Sequence, residues 1–358
     1  MAIQDHNLNL TEQQYRDLEL PSYSMLASID KQGVDVVGGV KTSLNLKFGS
    51  LVDMMCFEPH RVEDTFYKGA EVKAPTLNVK KICDYILSSK SSEKKASSVL
   101  KRKTPKSTNK LVNLRAEIIL AASDLGVYSS YTSDKLFDTV VKNGSTYFSE
   151  KIKSKNKILI KPEMWRHAAH TAATLISHPF TAKYFAQNVP GIEIIYQYKF
   201  DTIVNGRRCK GMLDCLVVNH KAKLIFPIDL KTGESPCKDF PMLYTSHRYY
   251  IQGALYKEAL ISIVQSDFEL AGYIVKPFEF VYISKLNPNK PMRFVVDDDM
   301  HQASLHGFID RYGYDYNGVH NLLDQYYECV ESGYSQYTDE ENLKKGVVNM
   351  NVLTITGK

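Results

Sequence analysis

The chain has 358 residues, 44% of them hydrophobic and 24% charged, with a formal net charge of +5, which is the make-up of a folded protein and excludes disordered and fibrous classes. No apolar run reaches the roughly 18 residues of a membrane span, and the polar opening Met1–His6 reads as no secretion signal, so a cytoplasmic protein is expected. The net charge is too small to identify a nucleic-acid partner by itself.

Taken in chain order, residues 9–30 predict a short helix, a loop and a second helix, and Gly33, Gly38 and Gly39 mark a turn region. Thr42 or Ser43 is placed to cap a helix that ends before Pro59. Phe48, Leu51, Val52 and Met55 form its buried stripe, and Gly49 and Asp53 share the face beside it. Residues 72–160 predict a helical insertion, broken by a Ser- and Lys-rich loop over Ser88–Ser107. Lys90–Lys110 is crowded with Lys and Arg and opposed only by Glu93. Such a segment suits a phosphate backbone, although a solvated basic loop is the commoner reading, and the two are compatible. Leu111–Leu125 has helical periodicity, and so does Lys161–Asn188, where Met164, Ala168, Ala172 and Leu175 line up and Pro179 stands as a break.

Residues 192–232 predict the sheet core. Within it, Leu213–Val218 and Leu224–Leu230 flank the turn Asn219-His220-Lys221 and read as a hairpin. Pro227 predicts a bulge or an edge there, since it has no N–H to give a ladder. Antiparallel pairing brings Asp214, at the start of the first strand, beside Asp229 near the end of the second. Alternation puts Asp229 and Lys231 on one face. Two close carboxylates repel unless a cation joins them, and a hard divalent ion such as Mg²⁺ takes one or two carboxylates and leaves room for water and phosphate. An Asp-x-Lys on its own is common at solvated strand edges. Here the strand is otherwise apolar, and a buried Asp and Lys need a partner or a ligand.

A helix over about Ser246–Ile263 follows, with Ile251, Leu255, Ala259 and Ser262 in one stripe, and with Gln252 and Tyr256 at i, i+4 on a neighbouring face. Residues 272–296 return to strand, and the tail from Met300 is mixed, with a helix at about Gly318–Ser332. The late tyrosines (Tyr249, Tyr250, Tyr312, Tyr314, Tyr316, Tyr326 and Tyr327) are read as packing before base stacking. Six cysteines form no Cys-x-x-Cys, which argues against zinc and for free thiols.

The runs Lys210-Gly211-x-x-Asp214, Asp229-Leu230-Lys231-Thr232 and Gln252-x-x-x-Tyr256 resemble the RecB-like branch of the PD-(D/E)XK nucleases, and within it the phage-type exonucleases related to lambda exonuclease and exonuclease VIII. The likeness is clearest over about 190–260 and extends to Leu20–Ser24 and Phe48–Pro59. It implies an α/β, restriction-endonuclease-like core: a central mixed sheet flanked by helices, with a helical insertion. In domain terms it implies a nuclease domain over 1–300, with the basic insertion at about 72–160, and a helical extension over 301–358 packed on it.

The activity implied is metal-dependent DNA exonuclease action on duplex ends, 5′ to 3′, in recombination, repair or phage DNA metabolism within a bacterial or phage-infected cell. The alternatives are a weakly catalytic end-binding scaffold and an endonuclease of the superfamily. The resemblance assigns Mg²⁺, with Mn²⁺ as substitute, to Asp214, Asp229 and the Leu230 carbonyl, and the attacking water to Lys231. Gln252 and Tyr256 support the site and contact DNA. A homo-oligomer and a single-strand annealing protein are the partners it suggests. Two positions depart from the pattern. Asp53 stands where relatives carry His, as a third oxygen ligand or as an ordinary helical acid. Gln197, favoured by spacing over Glu193, stands where many relatives carry Glu. The missing Cys-x-x-Cys separates the chain from branch members that hold an iron–sulfur cluster.

Overall fold

The computed structural model describes residues 2–33, 44–70, 75–88, 108–154, 156–186 and 188–331. The chain divides into two units, residues 1–57 with 170–358, and residues 58–169. The first unit opens with α1 (Ala2–Asp5), α2 (Glu12–Arg16), α3 (Tyr23–Gln32) and α4 (Leu44–Phe57). Thr11 and Gln14 close a reciprocal capping box at the start of α2. In α4, Phe48, Leu51, Val52, Cys56 and Phe57 are buried, so Cys56 takes the place expected of Met55, which is half-buried.

The second unit holds α5 (Val62–Thr65), β1 (Phe66–Lys68), α6 (Leu77–Ser88), α7 (Thr108–Asp124), α8 (Ser133–Ser154) and β2 (Ile158–Ile160). Val79, Ile82, Leu114, Ile118, Val140 and Phe148 pack its core, and β1 and β2 pair in parallel. The expected insertion at 72–160 lies inside this unit, which begins earlier and includes the two strands. Most of the basic segment Lys90–Lys110, and the expected caps Thr42 and Ser43, lie outside the described residues.

Helix α9 (Pro162–Ser177) carries the chain back to the first unit, ending before Pro179. Strands β3 (Ile192–Val204) and β4 (Arg207–Asn219) follow, joined by Asn205 and Gly206 at φ of 50° and 73°. An Asn-Gly pair accepts these left-handed angles at little cost, and a two-residue turn of this hand matches strand twist. Next come β5 (Leu224–Gly233), α10 (Phe240–Ser246), α11 (Tyr249–Ser266), β6 (Ile274–Val275), β7 (Glu279–Ser284) and β8 (Asn287–Val295). The chain then adds α12 (Asp298–His306), the small hairpin β9 (Gly307–Ile309) and β10 (Asp315–Asn317), and α13 (Val319–Glu331).

The sheet runs β3-β4-β5-β7-β8, with β6 also on β5. β4 and β5 are antiparallel, while β5 pairs in parallel with β6 and β7. The result is the expected α/β fold, a mixed central sheet flanked by helices. No helix among the described residues is long and apolar enough to cross a membrane.

Several expectations need correction. Asp214 lies mid-strand, because β4 begins at Arg207. Pro227 sits in a central strand and not at an edge. The Ile225 carbonyl accepts from Lys276 N–H, so odd-numbered residues of β5 turn their backbone toward β6 and β7. Pro227 then falls between Ile225, paired with β6, and Ile228, paired with β7, where no ladder bond is needed. The helix expected from Ser246 starts at Tyr249, because Arg248 at φ 64° ends α10. It is buried all round, with Ile251, Ala254, Leu255, Ala259 and Leu260 fully inside, as a central core helix must be. The expected boundary at 300 falls within α12, and Val319, Leu322 and Leu323 of α13 join the same core as Leu255 and Phe280. Residues 332–358 lie outside the described part.

Gly211 faces Phe200 across the β3–β4 ladder, and a Cβ there would come within 2.1 Å of the ring. Gly211→Ala should therefore destabilise the protein by about 1–3 kcal/mol through overpacking, read as a lower urea midpoint with an unchanged slope. An unaltered midpoint would mean that the ring moves aside freely.

Candidate active site

The β4–β5 ladder ends at Cys215 opposite Ile228. Beyond it β5 stays paired only with β7, and the two strands part. The Asp214 carboxylate takes over where the backbone stops, its Oδ2 accepting the Leu230 N–H at 2.9 Å. On the other side of Asp214, Gln197 adopts φ 52° and donates a side-chain hydrogen bond to the carboxylate. The core-facing positions slip by one residue at this pair. They are Ile195 and then Tyr198 and Phe200 on β3, and Leu213 and then Leu216 and Val218 on β4. The slip turns Asp214 out of the apolar alternation and toward the gap.

The gap is a cleft of about 760 Å³, whose walls include Tyr23 and Asp53 from the N-terminal helices, Asp214, Asp229, Leu230 and Lys231 from the parted strands, and Gln252 and Tyr256 from α11. All seven expected site residues therefore meet at one cleft. Asp229 is 2% exposed. Its Oδ1 accepts from Gln252 Nε2 at 2.5 Å, and its Oδ2 lies 2.6 Å from Lys231 Nζ. That last contact is an ion pair at a poor hydrogen-bonding angle, so Asp229 Oδ2, like Gln252 Oε1, is buried without a hydrogen bond. Lys231 also lies over the Tyr249 ring, 4.9 Å from its centroid, a cation–π contact.

The electrostatics follow from crowding acids in a poorly hydrated gap. Burial first, and then the charge of Asp229, push the Asp214 carboxyl up to about 7. Burial, with Asp214 and Asp229 beyond it, raises Asp53 well above the usual carboxylate range. Burial also raises Asp229, against the pull of Lys231. For Lys231 burial works to lower the pKa, but Asp229, Tyr249, Tyr23 and Asp214 more than offset it, and the ammonium is held charged.

Do these residues fit a metal? Among the described residues, no three His, Cys, Asp or Glu side chains close on one point as a ready-made cage. Mg²⁺ does not ask for one, since it uses one or two carboxylates and completes its shell with water and phosphate. The carboxylates of Asp53, Asp214 and Asp229 offer oxygen donors at the cleft. Leu230 sends its N–H toward β4, and its carbonyl leaves the strand on the same side. A buried carboxylate oxygen without a hydrogen bond and three carboxyls raised chiefly by burial suit a hard divalent cation, which would be held by Asp214, Asp229 and the Leu230 carbonyl, with Asp53 beside them.

Tyr256 is 5% exposed, its ring edge-on to Phe200 at 5.5 Å and its hydroxyl against the Met212 backbone. It stands behind the carboxylates, in the supporting place expected of it, at the edge of the cleft. Glu193 is paired with His220 at 2.9 Å, away from Asp214.

Sequence reasoning missed Tyr23 and Tyr249, which flank Lys231, and it missed the part played by Lys210. This lysine is 5% exposed and donates to the carbonyls of Tyr15, Arg16 and Leu18 at 3.0, 3.0 and 2.6 Å. Its own N–H bonds the Pro21 carbonyl at 3.0 Å. It thereby latches the α2–α3 segment, one wall of the cleft, onto β4. A buried lysine in a mostly apolar stretch was the available signal.

Residues 14–312 match the family described as a PDDEXK-like domain of unknown function (DUF3799). That is most of the chain, and the chain belongs to this family. Among solved structures it is similar to one of a proposed exonuclease from Eubacterium rectale, at 15% identity and a TM-score of 0.46 over 98% of this chain and 99% of that one. No curated protein matches.

Two outcomes are expected. Because its folded pKa is raised, Asp214 contributes stability that is fully present below its ordinary value of 3.8 and is lost as pH rises through about 7. In chelator, Asp214→Asn should therefore gain melting temperature relative to wild type as pH goes from 4 to 8, whereas a constant difference would refute the raised Asp214 pKa. Asp53→Asn should melt higher than wild type in chelator yet gain less from millimolar Mg²⁺, since a ligand that binds only the native state stabilises it. An equal Mg²⁺ gain in both proteins would make Asp53 structural.

Proposed function

We propose that this PDDEXK-like protein is a metal-dependent deoxyribonuclease that hydrolyses duplex DNA from its ends, 5′ to 3′. The observation that carries the reading is the parting of β4 and β5, which gathers Asp214, Asp229 and Lys231 at an open cleft. A divalent cation bound there supplies charge neutralisation at the phosphate and acidifies water.

The chain's own residues do the rest. Gln252 donates to Asp229 and fixes the carboxylate plane, and Tyr256 backs the site from the core. Lys231, held charged by Asp229, offers a fixed positive charge to the phosphate transition state. That role suits it better than taking a proton from water, because a lysine whose pKa is raised is a poor base at neutral pH. Burial on β5 keeps the ammonium in place without reorganisation during the reaction. On this reading the protein serves recombination, repair or phage DNA metabolism. It would act as a homo-oligomer in the cytoplasm, with a single-strand annealing protein as partner.

The test is linear duplex DNA labelled at the 5′ or the 3′ end, beside a closed circle, in Mg²⁺, Mn²⁺ or chelator. Metal-dependent loss of the 5′ label first, with the circle intact, is the expected result. Asp229→Ala and Lys231→Ala should each lower the rate by at least about 10² while keeping the wild-type circular dichroism. Nicking of the circle would point to an endonuclease. DNA binding without cleavage in either metal would point to an end-binding scaffold.

A further inference from the structure

The β9–β10 hairpin carries a feature that the cleft does not use. Its tip, residues 310–314, presents Tyr312 and Tyr314 at 70% and 66% exposure, with Ile309 beside them at 70%. Tyrosines left this open forfeit most of their burial energy. The tip is nonetheless tightly held. Asp310 Oδ1 accepts from the N–H groups of Tyr312 and Tyr314 at 2.8 and 3.0 Å, and Tyr316 donates to its Oδ2 at 3.2 Å. Asp310 N–H bonds the Tyr314 carbonyl at 2.9 Å, and Gly313 N–H bonds the Asp310 carbonyl at 3.0 Å. Gly313, at φ 84°, supplies the one conformation that the turn requires. The rings are thus displayed from a fixed frame.

The base of the hairpin is tied to the wall of the cleft. Phe308 and Tyr316 stack at 4.9 Å and both meet Tyr250 edge-on. Asn317 donates to Asp30 at 3.0 Å, and Arg248 also pairs with Asp30. Asp30 belongs to α3, whose Met25, Ser28 and Ile29 line the cleft.

We propose that this tip is a stacking platform for unpaired bases of a DNA strand whose duplex end occupies the cleft. The inference rests on the nuclease reading and adds to it a preference for tailed ends. Every base has a π-face, so a rigid exposed ring binds bases without regard to sequence. Arg311 supplies the matching charge, its guanidinium 4.8 Å from the Tyr312 centroid and donating to the Tyr312 hydroxyl at 2.7 Å. A protein partner fits less well. A stable protein interface takes roughly 800 Å² from each side, far more than a five-residue tip offers, whereas one ring is enough for one base.

The experiment uses the full chain in chelator, so that DNA is bound and not cut. The probes are a blunt duplex and the same duplex with a single-stranded tail, at either strand's end, carrying 2-aminopurine. The Tyr312→Ala/Tyr314→Ala protein should lose about tenfold or more in affinity for tailed DNA and keep its affinity for blunt DNA. Fluorescence quenching of the 2-aminopurine by wild type should vanish in the variant. The Tyr312→Phe/Tyr314→Phe protein should retain both, since stacking needs the ring and not the hydroxyl. Equal affinities of wild type and the alanine variant for tailed DNA would overturn the platform, as would an equal loss on blunt DNA. With wild-type cleavage intact, either result leaves the nuclease reading standing. Wild-type protein that binds neither probe would overturn the platform, and the cleavage assay in Mg²⁺ alone decides the nuclease reading.

Discussion

One backbone hydrogen bond given to a side chain organises this molecule. Where the β4–β5 ladder stops, the Leu230 N–H goes to the Asp214 carboxylate and not to a strand neighbour. A buried N–H left unpaired is costly, so the carboxylate is what lets the strands part. The parting in turn opens the cleft, frees the Leu230 carbonyl to face it, and leaves Asp229 and Lys231 on a strand secured from its other side by β7. Gln197 completes the arrangement from β3, since its left-handed backbone and its amide both serve the same carboxylate. A Gln at this place is therefore a structural partner of Asp214, whatever it contributes to a metal.

The cost of the design is charge. Asp53, Asp214 and Asp229 crowd one gap with Lys231 as the cation that opposes them among the described residues, and all three carboxyls are pushed upward. A site that balanced its own charges would be more stable and would have less reason to hold a cation. This one is left short of positive charge at the point where a divalent ion would stand. The same argument explains why Asp229 is so firmly placed. Its two oxygens meet Gln252 and Lys231, and a rigid anion gives up less entropy when it takes a ligand.

What the sequence made legible is what depends on local period and turn chemistry. The Asp-x-Lys on an apolar strand, the antiparallel return that sets Asp214 beside Asp229, and the i, i+4 pair Gln252 and Tyr256 all follow from such patterns. The Asn205-Gly206 turn was as plain a signal and went unread. The features that were not legible join residues far apart in the chain: Tyr23 and Tyr249 around Lys231, and Asp30 holding both Arg248 and Asn317. The misplaced Pro227 belongs with them, because its tolerance depends on β6 ending where β7 begins. Asp53 was left open for the same reason. Helical spacing fixes its face, and only the packing of α4 against β5 at Gly49 and Thr232 says what that face meets.

Two buried lysines show how environment divides labour within one cleft. Lys210 and Lys231 both line it, on the two strands that part. Lys231 faces carboxylates and is held charged. Lys210 faces three carbonyls, and burial pulls its pKa down, with Asp17 working the other way. Carbonyls accept hydrogen bonds but carry no net charge, so they satisfy the three donors of an ammonium without neutralising it. That geometry pins a polypeptide segment and leaves nothing over for a phosphate. The carboxylate-paired lysine is the reverse case, a charge fixed in place with one face toward the gap. The strand carrying Asp214 therefore fixes the wall of the cleft through Lys210, and the strand carrying Asp229 supplies the cation that faces the cleft.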